Sequence, residues 1–115
     1  MTDLIVKKAD QLAHLVYKIT RSFPREELFG VTSQLRRAAL SIVLNLIEGF
    51  ARQRSKEYIH FLEISYGSLK EVKYLIHFCY KEAYLERKEY DELLKICEEI
   101  GKLLWNKMTR LKNQK

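Results

Sequence analysis

Cationic side chains carry most of the chemistry this chain can offer. Arg36, Arg37, Arg52, Arg54 and Lys56 fall close together, opposed by Glu48 and by Glu57 just beyond. A guanidinium fork bonds two oxygens of a phosphate at once, which makes such a run a candidate phosphate surface. Arg52, Gln53, Arg54, Ser55 and Lys56 read as the corner between two helices, where the first turn of the second helix adds free backbone N–H groups. After Glu99 comes a second basic group, Lys102, Lys107, Arg110, Lys112 and Lys115, with no acid among them. Between Glu82 and Glu99 the sign reverses, so charge is segregated along the chain. A net charge of +6 points to an acidic partner such as RNA or DNA. The plainer alternative is a solvated corner and a soluble tail.

Other chemistries find less support. A di-iron bundle needs two Glu-x-x-His pairs and two further inward carboxylates. This chain has one such pair, Glu57 with His60, while His14 and His77 lack a Glu three residues earlier. Ser41 and Cys79 sit in no nucleophile motif, and no glycine-rich phosphate loop is present. The expectation is therefore a protein that is not an enzyme, with no metal and no cofactor. Cys79 and Cys97 occupy apolar helical positions singly, which reads as buried free thiols in a reducing cytoplasm. The N-terminal segment is broken by Asp3, Lys7, Lys8 and Asp10 and does not resemble a secretory signal. No run of apolar residues is long enough to span a membrane.

The elements that must position these groups are helices. One proline and four glycines in 115 residues leave little loop material. Ile5, Ala9, Leu12, Val16, Ile19 and Phe23 make one seam, for a first helix over about 2–22. Phe23-Pro24 ends it, and Thr32 or Ser33 is a plausible cap for a second helix over about 32–53. Ser55 caps a third, over about 56–83, whose seam runs through Tyr58, Leu62, Ser65, Leu69, Val72, Ile76 and Cys79. Ser65, Gly67 and Ser68 put small residues mid-helix, where a neighbouring backbone can approach. The fourth, over about 87–112, carries Leu93, Cys97, Ile100, Leu104 and Met108, flanked by Trp105. Short links make this a single all-α domain over 1–115, an antiparallel up-down-up-down four-helix bundle.

The second helix has an unusual circumference. Gln34, Arg37, Ser41, Asn45, Glu48 and Arg52 share one narrow stripe, and apolar residues fill most of the remainder. Such a helix reads as enclosed on nearly every side, and its polar stripe needs partners: another helix, another subunit or a ligand. Tyr66, Tyr74, Phe78, Tyr80 and Tyr84 widen the apolar surface of the third helix beyond one seam, as a subunit contact would.

TSQLRRAALSIVLNLIEGFAR followed by SKEYIHFLEISYGSLKEVKYLI resembles the bacterial four-helix-bundle family of 23S ribosomal RNA intervening-sequence proteins. The similarity rests on Thr32-Ser33-Gln34, Arg36-Arg37-Ala38, Ser41-Ile42, Asn45, Glu48-Gly49, Ser55-Lys56 and Gly67-Ser68 with Glu71, and it extends over nearly the whole chain. One departure is Val43, where the family usually has proline, so the second helix should run without a kink. Leu44 is also bulkier than the usual alanine. The resemblance implies a four-helix bundle that assembles as a homopentamer. A related branch of the family this chain resembles includes the accessory variability determinant of diversity-generating retroelements, a basic pentameric barrel that associates with a reverse transcriptase and nucleic acid. The residues of this chain do not choose between the branches.

Residues and resemblance together predict a cytoplasmic, non-enzymatic, ring-like homo-oligomer that holds RNA or DNA through its phosphates. Arg37, Arg52, Arg54 and Lys56 are the expected contacts, with Arg36, Lys107, Arg110 and Lys112 secondary. Gln34, Ser41, Asn45 and Glu48 belong to the polar seam, as structural or subunit-interface residues. The rival is a protein-interaction scaffold whose positive charge only keeps it soluble.

Overall fold

Asp3 starts the first helix, its carboxylate accepting from the Ile5 amide at 2.9 Å. The computed structural model describes residues 3–114, so the Thr2 start and Lys115 lie outside the described residues. Helix α1 (Leu4–Thr20) buries its predicted seam from Ile5 to Ile19, and Phe23 is buried in the turn that follows it. It stops two residues before the expected position. Thr20 turns its hydroxyl back to the Val16 carbonyl at 2.7 Å, and the Ser22 and Phe23 amides fall to carbonyls three residues back. Pro24 then leads into a single 3₁₀ turn, Arg25–Glu27.

Helix α2 (Val31–Ala51) begins one residue earlier than expected, which changes its cap. Neither Thr32 nor Ser33 caps it. Glu27 Oε1 accepts from the Val31 amide at 3.2 Å instead, and Thr32 faces inward with no partner for its hydroxyl among the described residues. With Val43 in place of proline the helix is continuous to Ala51, ending short of the expected residue 53. Helix α3 (Glu57–Lys81) starts one residue later than expected, with Lys56 rather than Ser55 at the cap position; Ser55 Oγ still accepts from the Glu57 amide at 3.1 Å, from one residue further back. That helix ends before the expected residue 83 because Ala83 turns to φ 65°, letting the Tyr84 amide reach the Cys79 carbonyl at 2.9 Å. Helix α4 (Arg87–Asn113) opens on a capping box, with Glu86 and Glu89 each serving the other's backbone amide.

Helix α2 lies between α1 and α3, and α4 closes the square between α3 and α1. The result is an antiparallel four-helix bundle measuring 47 × 23 × 22 Å. Its core is leucine and isoleucine from all the helices, including Leu12, Leu35, Ile42, Leu62, Leu69, Leu93 and Leu104. Helices α2 and α3 meet most closely where side chains are small. A Cβ on Gly49 would lie 3.3 Å from Phe61 Cβ, and the buried Ser65 hydroxyl donates to the Ile42 carbonyl at 2.9 Å. Gly67 takes no part in this approach, because a Cβ there would meet nothing within 4 Å.

The enclosure expected for α2 is incomplete in the single chain. Leu40 is 38% exposed and Leu44 58% exposed, because a helix in this square touches only two neighbours and its outer flank meets water.

Two outcomes follow from the fold. An alanine at positive φ costs about 1–2 kcal/mol, more than glycine loses in backbone entropy. Ala83→Gly should therefore raise the urea-unfolding free energy by roughly 0.5–1 kcal/mol with an unchanged m-value. Burial pushes the Cys79 thiol up to about 11 and the Cys97 thiol up to about 12, so neither is a thiolate at pH 8. Iodoacetamide should leave both unmodified in the native protein at pH 8 and alkylate both in denaturant.

Candidate nucleic-acid interface

Antiparallel connectivity carries the end of α2, the start of α3 and the end of α4 to one end of the bundle. Two basic groups far apart in sequence meet there. Lys107 Nζ lies 5.2 Å from the centre of the Phe50 ring, and Lys112 reaches Glu63 at 3.4 Å. Leu111 shares a groove of about 460 Å³ with Gln53, Ser55, Lys56 and Tyr58. Burial, with Asp3 adding to it, raises the Tyr58 hydroxyl above the usual phenol range, and Arg110 opposes them.

The bases at this end are not equally free. Arg52 forms an i,i+4 ion pair with Glu48 and lies over the Phe61 ring at 5.2 Å. Lys112 has Glu63. Arg54, Lys56 and Arg110 are exposed and have no ion-pair partner among the described residues, and half-buried Lys107 has only its ring. The α3 N-terminus is less open than expected, since Ser55 Oγ already takes the Glu57 amide.

Arg36 and Arg37 do not join this group. Arg37 precedes Arg52 by about 22 Å along the helix. It lines a groove of about 550 Å³ with Phe29, Ser33, Gln34 and Glu71. Arg36 points the other way, toward α1, where its Nε donates to Thr20 Oγ1 at 2.8 Å and its guanidinium covers the Tyr17 ring at 4.6 Å. With Arg21 and Arg25 it lines a further groove of about 440 Å³. Neither Arg21 nor Arg25 belongs to a motif, and only the folded turn brings them beside Arg36.

The polar stripe of α2 finds most of its partners inside the chain. Ser41 and Ser68 share a hydroxyl hydrogen bond of 2.8 Å, and Asn45 Nδ2 donates to the Ser41 carbonyl at 2.8 Å. Glu48 holds Arg52. Gln34 is exposed beside Arg37. The seam is the outer edge of the α2–α3 contact. Among the described residues no three His, Cys, Asp or Glu side chains group as metal ligands, and no helix is long and apolar enough to cross a membrane.

Comparison with known proteins agrees with this architecture. No curated protein matches the chain. The structure of a protein with unknown function from the S23 ribosomal protein family of Bacteroides thetaiotaomicron has the same fold. It superposes with a TM-score of 0.81 at 23% identity, over 91% of this chain and 98% of that one. The model of the 23S rRNA-intervening sequence protein family matches residues 2–106. Spanning nearly its whole length, that match means the chain belongs to the 23S rRNA-intervening sequence protein family.

Proposed function

We propose that this chain is a non-enzymatic, cytoplasmic nucleic-acid-binding protein that grips the RNA or DNA backbone with the basic end of its bundle. The observation that carries the reading is the meeting, at one end of the bundle, of the α2–α3 link that holds Arg54 and Lys56 with the end of α4 that holds Lys107 and Arg110. Unpaired guanidinium and ammonium groups at one end suit phosphates spaced along a strand, and they bind without regard to base sequence. Arg52 and Lys112 supplement them once Glu48 and Glu63 yield. Arg36 and Arg37, on other faces, stand outside this surface.

A ring-like homo-oligomer, a homopentamer, is part of the same proposal. Exposed Leu40 and Leu44 on α2 and exposed Tyr74 and Phe78 on α3 supply the apolar area for contacts between copies. Assembly multiplies the basic ends and places them on a shared surface. A reverse transcriptase gene beside this one would extend the proposal to that enzyme as a partner.

Binding to a structured RNA, followed by fluorescence anisotropy between 50 and 200 mM salt, tests the phosphate contacts. Arg54→Glu/Lys56→Glu should weaken binding at least about tenfold and flatten the log K against log salt slope by roughly 2. Arg37→Glu should change neither. Indifference of the native protein to RNA at low salt would instead favour a protein-interaction scaffold. Light scattering should give a mass five times that of one chain, and a monomer at micromolar concentration would rule out the ring.

A further inference from the structure

The α3–α4 face carries a groove of about 550 Å³ walled by Tyr66, Lys70 and Lys73 from α3 and by Glu98, Lys102 and Trp105 from α4. Its floor is low because Gly101 places no side chain in it, and Leu69 lies 3.5 Å from where a Cβ would stand. Trp105 is 55% exposed, an expensive position for the largest apolar side chain in the protein. Its ring meets that of half-buried Tyr66 at 5.7 Å between centroids with a 44° tilt, which fixes the indole plane. Lys70 Nζ stands 5.3 Å from the Tyr66 ring centre.

Charge on this face is in surplus. Glu98 is the one carboxylate among the residues that line the groove, held by Lys73 at 2.8 Å. The hydrogen bond and charge of Lys73, with smaller contributions from Lys102 and Lys70, keep the Glu98 carboxyl below its usual range. Lys70 and Lys102 have no ion-pair partner of their own among the described residues. A fixed, open aromatic plane beside unpaired cations is the composition of a surface that stacks bases and neutralises the adjoining phosphates.

We propose that this groove binds a single-stranded segment of nucleic acid, one base stacking on the open face of Trp105 and the flanking phosphates lying on Lys70 and Lys102. The proposal takes its class of ligand from the function proposed above and adds a requirement that function lacks: bases free of a duplex. In a duplex each base face is already stacked on its neighbours, and an indole anchored against Tyr66 cannot reach it. Tyr66 and Trp105 are too close and too tilted to hold a base between them, so the outer face of Trp105 is the platform. A second copy of this chain is the poorer occupant. Lysine is depleted from the centres of protein interfaces, and two copies would set lysines against lysines.

Trp105 is the sole tryptophan of the chain, so its emission reports directly on what stacks there. The native protein is titrated with a short unstructured oligonucleotide, a blunt duplex of the same length, and inorganic polyphosphate. The single strand should quench Trp105 emission, while duplex and polyphosphate bind without quenching. Trp105→Ala should lose about tenfold in affinity for the single strand, and Trp105→Phe should restore most of it. Lys70→Glu/Lys102→Glu should weaken the same complex and flatten its salt dependence. Circular dichroism melts of each variant separate misfolding from lost binding.

RNA binding that requires Arg54 and Lys56 but leaves Trp105 emission unchanged would overturn the groove and leave the basic end standing. Quenching by single strands that survives Arg54→Glu/Lys56→Glu would support the groove and count against the basic end. Emission that follows protein concentration with no nucleic acid present would make the face a contact between copies, and would overturn the proposal too.

Discussion

The close approach of α2 to α3 sets most of what this molecule can do. It depends on small groups at consecutive turns: Gly49 against Phe61, Ser65 on the Ile42 carbonyl, and Ser41 against Ser68. A larger side chain at Gly49 or Ser65 would push the helices apart, and the polar seam would lose its partners to water. Because the contact is tight as far as Gly49, the chain has only the short stretch from Arg52 to Lys56 in which to reverse. The bases there are therefore compressed into one corner, with backbone turns fixing their spacing.

Antiparallel topology then completes the corner. The end of α4 must return to where α3 began, so its last-turn bases arrive beside Arg54 and Lys56 without any sequence motif joining them. These bases serve the fold as well, since cations in a last turn favour the negative end of the helix dipole. Neighbours in sequence, by contrast, need not stay together. Arg36 and Arg37 differ by about 100° around α2. That single step sends one guanidinium onto Tyr17 and the other into the open groove beside Gln34.

Periodicity made the helices legible, and the polar stripe of α2 was visible in sequence before its partners were. What escaped sequence reasoning was set by geometry between elements. The cap of α2 comes from Glu27, a residue in a different element, so no local pattern announces it. Ala83 adopts a conformation that sequence assigns to glycine, because the tertiary demand of the α3–α4 turn outweighs local preference. The enclosure expected for α2 stops at Leu40 and Leu44, because apolar type does not say which flank a bundle leaves open. The freedom of the bases was hidden in part. The pairing of Arg52 could have been read from Glu48 four residues back on the same stripe, whereas the freedom of Arg54 shows only in the fold.

The groove around Trp105 and the basic end share α4 but draw on different flanks of it. At about 100° per residue, Lys102, Trp105 and Lys112 fall on the same flank of α4, the flank that faces α3. Lys112 in turn reaches Glu63, about two turns into α3 from the corner that holds Lys56. Lys107 and Arg110 lie about 140–160° around α4 from that flank, so among the bases of the last turns it is Lys112 that connects the Trp105 groove with the bundle end. In the binding proposed above, aromatic anchoring would set where along a strand the protein sits, and the cations at the bundle end would add affinity that salt can tune. Neither effect needs the other for the bundle to fold, which allows the two to be separated by substitution at residues far from the core.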